Sequence, residues 1–408
     1  MPDSECSPIA SSLGRGKDYP INEQTAITSL HDFLRGEIGE RGALAFSKVM
    51  EHALYHPELG YYARGESCVG RAGDFFTSVS VGPAFGQILA RRFLLEWCSL
   101  GKPRRWTIHE YGAHDGTLAH DLLDALQQIS AEAYQALIYQ IHEPLPMLKL
   151  LQRERLMMHQ TLVSWPDASS QIEPLPGVIF GNELLDALPF ERIEWCDGNW
   201  HLCRVGLDAA GEFAWQLGEP LIADGDWEIL AKLGCDFPHG YRTEVRHGLD
   251  SRFSNMLRWL SAGTMLWLDY GFARPEYYHA DRTDGTLRTF QKHQGGENPL
   301  DLLGGCDITA HVDFTAVAES ALRLGCVLAD FRSQGAWLTH HGREWLLAHD
   351  GHEHGKWSRQ FQTLTHPAQM GSKFHVIECS WHHPRPAISD PRILERLALS
   401  ACSTGSSH

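Results

Sequence analysis

The chain has 408 residues, 43% of them hydrophobic and 21% charged, enough to bury one large core or two smaller ones. With 35 Lys and Arg against 51 Asp and Glu, its formal charge of −16 argues against a surface that grips nucleic acid, and leaves room for a basic protein partner. Ten scattered cysteines form no C-x-x-C pair, which points to reduced thiols and a cytoplasmic home, and no apolar run is long enough for a membrane span.

Residues 1–26, rich in Ser, Pro and Gly, read as a disordered tail with no signal or transit character. A helix capped by Thr28 follows, with Leu30, Phe33, Leu34 and Ile38 on one side, then a second helix from Phe46 that ends before Pro57. The stretch 58–82 is dense in Gly and aromatic residues without a period, as in an ordered functional loop. Asp74, Thr77 and Ser78 within it are equally readable as turn caps. A helix from Pro83 to Trp97 completes an N-terminal helical region, 27–100.

The central stretch is Trp106–Leu126, WTIHEYGAHDGTLAHDLLDAL: a buried strand, an acidic residue, a glycine turn and an amphipathic helix. This is how the crevice of a doubly wound sheet opens. The dinucleotide pattern G-x-G-x-x-G fails here, because His114 and Thr117 stand at its second and third glycines, and no Lys follows Gly116 as a P-loop requires. An acid before a glycine turn suits a ligand with a cationic head and no phosphate, such as S-adenosylmethionine; the plain alternative is structural punctuation.

Ala136–His142 is a second buried strand followed by Glu143, placed either to accept ribose hydroxyls or to cap the helix 146–158. Gly177–Phe180 is a third strand running into Asn182, Glu183 and Asp186. Carboxylates at an apolar strand end point to a site, against which stands helix capping by Asn182 with Glu183 in the first turn. Strand-like runs over about 190–220, broken at Asp197-Gly198 and Asp208–Gly211, predict an antiparallel excursion. A helix near 250–261 leads to the strand Thr264–Leu268, which ends at Asp269-Tyr270. The polar, Gly-rich stretch 283–315 reads as a lid-like loop. Its Asp307, Thr309, His311 and Asp313 favour capping over a metal site. A strand near 326–331, helices between 335 and 365 and a strand at 374–379 close the fold, and 385–408 reads as a second disordered tail.

In FSKVMEHALYHPELGYYARG, GRAGDFFTS, GPAFGQILAR, GNELLDALPFERI, WLDYGF, GTLR and GCDITAHVDF, the chain resembles the MidA-like family of S-adenosylmethionine-dependent methyltransferases. That family includes the mitochondrial complex I assembly-factor protein arginine methyltransferase. The resemblance runs over about 28–380. It implies an α/β class I methyltransferase core, a Rossmann-like doubly wound sheet over 101–384, with an N-terminal helical region and an inserted antiparallel β excursion.

Glu110, Gly112, Ala113 and Gly116 then match the cofactor turn, Glu143 the ribose acid, and Asp74 and Thr77 the GDFxTS loop. Asn182 falls beside the cofactor, with Glu183 and Asp186 as the catalytic carboxylates, Glu183 first. Asp269, Tyr270 and His311 fall on the substrate side, and no metal is required. The implied reaction is methyl transfer to an arginine of a protein substrate, with a core subunit of NADH–quinone oxidoreductase as the first guess. One position departs from the family's E-x-G-x-G-x-G turn: His114 replaces the middle glycine, and a left-handed or bare-backbone requirement there would hinder binding. That departure keeps open an alternative, a methyltransferase-fold scaffold that binds a partner without catalysing anything.

Overall fold

In a computed structural model that describes residues 23–64, 77–167, 170, 173–234, 236–291, 294–296, 298–349, 355–384 and 390–399, the buried strands join edge to edge. They are β1 (Trp106–Tyr111), β2 (Leu137–His142), β3 (Val163–Ser164), β4 (Leu175–Asn182), β5 (Leu260–Phe272), β6 (Val327–Ser333) and β7 (Phe374–Trp381). Their order across the sheet is 3-2-1-4-5-7-6, with β1 to β5 parallel and β7 antiparallel to both neighbours. The chain winds outward from β1 through β2 and β3, then returns to place β4 on the other side of β1. The crevice of a doubly wound sheet lies beyond the strand ends at that reversal.

Alternation along each strand explains why both faces are covered. Val178 and Phe180 of β4, Leu266 and Leu268 of β5, and Val376 of β7 pack on one side with α3 (Ala84–Ser99) and α4 (Thr117–Ile129). Ile179, Met265, Trp267 and Ile377, one residue out of phase, pack on the other side with the helices Leu249–Leu257 and Phe314–Arg323.

The expected excursion is present and longer than read, with antiparallel strands Glu191–Cys196, Asn199–Leu207, Phe213–Pro220 and Tyr241–Val245. Its first turn has both central residues left-handed, Asp197 at φ 52° and Gly198 at φ 79°, the backbone a two-residue hairpin requires. Helices α1 (Glu23–Arg41) and α2 (Phe46–Tyr55) bury Leu30, Leu34, Phe46, Val49 and Met50 against Phe190, Val205, Leu303 and Ile308. These two helices therefore pack on the excursion and the 300–310 segment, whereas α3, assigned with them from sequence, belongs to the main core.

Four boundaries differ from the sequence reading. Thr28 lies inside α1 rather than capping it. β5 runs on to Phe272, so Asp269 and Tyr270 are strand residues paired with His375 and Phe374 of β7. The 283–315 stretch is no open lid: Arg288–Gln291, Gln294–Gly296 and Asp307–Thr309 form a small antiparallel sheet, with Leu287, Leu303 and Ile308 buried. The segment read as a C-terminal tail holds a helix, Pro391–Arg396, with Ile393 and Leu397 buried in the main core. Of the expected tail 1–26, residues 23–26 belong to α1 and 1–22 lie outside the described residues.

Gly177 sits at the centre of the sheet, in register with Thr107 and Gly263. A Cβ there would lie 1.9 Å from the Thr107 carbonyl oxygen, and one on Gly263 would lie 1.8 Å from the Gly177 carbonyl oxygen. Backbone cannot yield as a side-chain tip does. Gly177→Ala is expected to lower stability by about 1–3 kcal/mol or to prevent folding, measured as the urea midpoint or the soluble yield. An unchanged midpoint would show that the strands can part.

Candidate active site

The turn after β1 alternates through the left-handed region, with Gly112 at φ 75°, His114 at φ 47° and Gly116 at φ 82°. The middle position does need φ > 0, and His114 meets it at a cost of about 1 kcal/mol. Its carbonyl accepts the Gln152 Nε2 hydrogen at 2.7 Å, so the turn keeps its path. Gln152 is fully buried; its Nε2 also donates to Glu143 Oε2 at 3.0 Å, and its Oε1 accepts from Trp165 Nε1 at 2.8 Å. This strut from the helix Pro146–Arg155 ties the glycine turn to the end of β2. Sequence reading missed it, and its only trace there is a glutamine one turn beyond Leu148 on the buried side of that helix.

Glu143 is buried at the end of β2, and its Oε1 accepts the Leu145 N–H at 2.9 Å. It shapes the turn into the next helix as well as facing Gln152. Burial pushes its carboxyl up. Glu110 is 2% exposed and accepts the Tyr139 hydroxyl at 2.7 Å. Burial pushes it up to about 8, against the opposing pull of Tyr139. It is tied in this way to the neighbouring strand β2. Ala113 is buried in the main core, and its carbonyl accepts the Gly116 N–H at 2.8 Å.

No helix begins after β4, so the capping alternative for Asn182 and Glu183 falls. Glu183 is left-handed at φ 52°, and the following turn is built on Asp269 of β5. Asp269 Oδ2 accepts the N–H groups of Leu184, Leu185 and Asp186 at 3.2, 2.8 and 3.2 Å, and its Oδ1 accepts that of Tyr270 at 2.9 Å. Asp269, expected on the substrate side, is thus the backbone anchor of this turn.

The turn presents three groups. Asn182 Nδ2 donates to Glu183 Oε1 at 3.1 Å, and the Ser78 backbone N–H also reaches Glu183. Burial first, then the neighbouring Asp186, pushes the Glu183 carboxyl up to about 8. Asp186 Oδ2 accepts the Tyr270 hydroxyl, while its Oδ1 and Asn182 Oδ1 are buried without a partner among the described residues.

The wall opposite comes from elsewhere. Tyr62 donates to Asp307 at 2.9 Å, Tyr55 donates to the Ala187 carbonyl at 2.8 Å, and their rings stack 5.5 Å apart. His311 packs its ring on Tyr270 and Phe272, and burial, then Arg282, hold it down at about 4, so it is neutral at physiological pH. Arg246 joins the two walls. Its guanidinium donates to the carbonyls of Asp186, Ala310 and His311 at 2.7, 2.5 and 2.5 Å. Tyr55, Tyr62 and Arg246 were not singled out from sequence, because nothing in their spacing brings them near Asp186, and Asp307 was read there only as a capping residue. Thr77 starts the 3-10 turn Val79–Val81 through its bonds to Ser80, and Asp74 lies outside the described residues.

A bare left-handed glycine at Gly112, the strand-end acid Glu143 and the orphaned Asn182 Oδ1 meet at the strand reversal, and they suit the polyhydroxylated, cationic S-adenosylmethionine. The seven-stranded order with antiparallel β7 and this crevice define a class I methyltransferase. Residues 88–332 match the model of the S-adenosyl-L-methionine-dependent methyltransferase family Methyltransf_28, and the chain belongs to that family. Its cofactor is S-adenosylmethionine. A crystal structure of a Burkholderia thailandensis protein bound to S-adenosyl-homocysteine is similar at 31% identity and TM-score 0.81, covering 90% of this chain and 96% of that one. Two relatives are named protein arginine methyltransferase NDUFAF7 or its homolog, mitochondrial. The Drosophila melanogaster protein is 28% identical over 91% of each chain, and the Danio rerio protein 24% identical over 86% of each.

Two outcomes are expected. In calorimetric titration with S-adenosylmethionine, His114→Gly should bind within a few-fold of the natural chain and change stability by no more than about 1 kcal/mol, because the left-handed turn is already formed. A large gain in affinity would mean that the imidazole obstructs the pocket. Asp269→Ala should cost about 3 kcal/mol or more in urea unfolding, because it strands several buried N–H groups, whereas Asp269→Asn keeps an acceptor and should cost less. Equal losses would remove Asp269 from this role.

Proposed function

We propose that the protein methylates an arginine side chain of a protein substrate. The observation that carries this reading is a pair of buried carboxylates, Glu183 and Asp186, set beside tyrosine rings. The guanidinium of Arg246 lies beside Asp186 and spends its hydrogen bonds on three backbone carbonyls. A pair of this kind suits a cationic acceptor. Flanking phenols from Tyr55, Tyr62 and Tyr270 suit a planar guanidinium better than an ammonium. The names of the fly and zebrafish relatives support the same acceptor.

When bound, S-adenosylmethionine supplies the electrophilic methyl group. The Gly112 turn, Glu143 and Asn182 are the residues that would hold it. Guanidinium is a poor nucleophile because its charge is delocalised, and a pair of carboxylates on two of its nitrogens draws that charge away from the third. Asp186 is oriented for this by the Tyr270 hydroxyl, and Glu183 by Asn182 and the Ser78 N–H. With its carboxyl pushed up to about 8, Glu183 is also the group matched to take the proton that the methylated nitrogen releases. The resemblance to the complex I assembly factor makes a core subunit of NADH–quinone oxidoreductase the proposed substrate. The scaffold-only alternative rested on His114; its left-handed backbone speaks for the enzyme, and the titration of His114→Gly tests whether the imidazole obstructs the cofactor.

The relatives are named mitochondrial. For this chain we propose a reducing compartment such as the cytoplasm, supported by Cys98, Cys196, Cys203, Cys326 and Cys379, which form no disulfide among the described residues. No helix among the described residues is long and apolar enough to cross a membrane.

Glu183→Gln should reduce methyl transfer to arginine peptides at least about 100-fold and leave the Kd for S-adenosylmethionine within a few-fold. In the natural enzyme at saturating cofactor, kcat/KM for the peptide should rise with pH and level off above about 8, because only the ionised Glu183 holds the guanidinium. The variant should lose that limb. Unchanged turnover would remove Glu183 from the mechanism.

A further inference from the structure

Away from the crevice, three ligand-type side chains converge on the outer side of α4. His120 and Asp124 are four residues apart on that helix, so they stand one above the other on one face. His159 arrives from the 3-10 turn Met157–His159, which follows the helix carrying Gln152. His159 Nε2 lies 3.1 Å from Asp124 Oδ1, and His120 Nε2 lies 3.8 Å from Asp124 Oδ2. One ligand atom from each residue falls within 4.8 Å of the other two. Ligands around a tetrahedral ion with bonds of about 2.0–2.1 Å stand about 3.3 Å apart, so small side-chain rotations close the set.

The far nitrogen of His159 is also engaged, with Nδ1 2.7 Å from the Tyr134 hydroxyl. Metal-ligating imidazoles are held in this way, with the second nitrogen on a hydroxyl, carbonyl or carboxylate that sets the tautomer and leaves Nε2 for the ion. His120 Nδ1 stands 3.7 Å from Asp121 Oδ1, beyond hydrogen-bond range. His159 is 1% exposed. His120 and Asp124 form the half-exposed rim, which leaves an entry path and an open position for water.

We propose that His120, Asp124 and His159 form a binding site for a divalent transition-metal ion of the zinc class. Two imidazoles and one carboxylate favour zinc, cobalt, nickel or copper over the oxygen-seeking magnesium and calcium. The ion would staple α4, which begins at Gly116, to the turn after the Gln152 helix, and so brace from outside the two elements that hold the glycine turn. A hydrogen bond from His159 to Asp124 alone is the competing account, and it makes no use of His120.

The test is calorimetric titration of Zn²⁺ into the full-length, chelator-stripped protein, alongside His120→Gln and Asp124→Asn. The chain has 24 histidines and a second, exposed group at Cys196, Asp197 and His239, so the difference in equivalents bound is what decides. The natural chain should bind one equivalent that each variant loses or binds at least about 100-fold more weakly, and that Cys196→Ser retains. Zinc should raise the thermal midpoint of the natural chain and not that of Asp124→Asn, whose metal-free midpoint should be unchanged because Asp124 is half-exposed. The same number of equivalents in all forms, or loss of the tight equivalent in Cys196→Ser, would overturn the site.

Discussion

The turn after β4, which carries Glu183 and Asp186, depends on one buried carboxylate. Asp269 takes three consecutive N–H groups of the turn after β4 and one of its own strand, and is 1% exposed. Hydrogen bonds contribute about 0.5–1.5 kcal/mol each, and leaving these buried N–H groups unsatisfied would cost more. Held this way, the turn can place Glu183 in a left-handed conformation and aim Asp186 at Tyr270. Without that anchor, two acidic side chains this close would move apart.

The fold supplies the strand ends that make such an anchor possible. β4 and β5 are parallel neighbours in register up to Leu268 and Asn182, so the residue that follows each stands at the same edge of the sheet. The crevice side is held by an analogous device. Gln152, fully buried, joins the glycine turn to Glu143 through one amide group. Both halves of the site are thus positioned by a polar side chain outside the motif it serves.

The acceptor pocket is completed by parts far apart in the chain. Tyr55 and Tyr62 come from α2 and the turn after it, while Asp307 and His311 come from and just beyond the last strand of the small sheet. Arg246 at the end of the excursion ties Asp186 to residues 310 and 311. The N-terminal helices and the excursion therefore build one wall of the crevice, and the doubly wound sheet builds the other.

The sequence by itself determined the strands, the glycine turn and the acids at the strand ends, because burial alternation and left-handed turns are local demands written in neighbouring residues. Glu110, Glu143, Glu183 and Asp186 were legible for that reason, and the recurring motifs supplied the cofactor class. Only the tertiary structure decided that Asp269 is an anchor rather than a substrate contact, since its partners lie across a strand pairing 83 to 85 residues away. It also decided that the 283–315 stretch folds as a small sheet, that Gln152 braces the turn, and that His159 meets His120 and Asp124. In each case the deciding contact joins positions distant in the chain, and no period or spacing encodes which buried polar groups must find one another there.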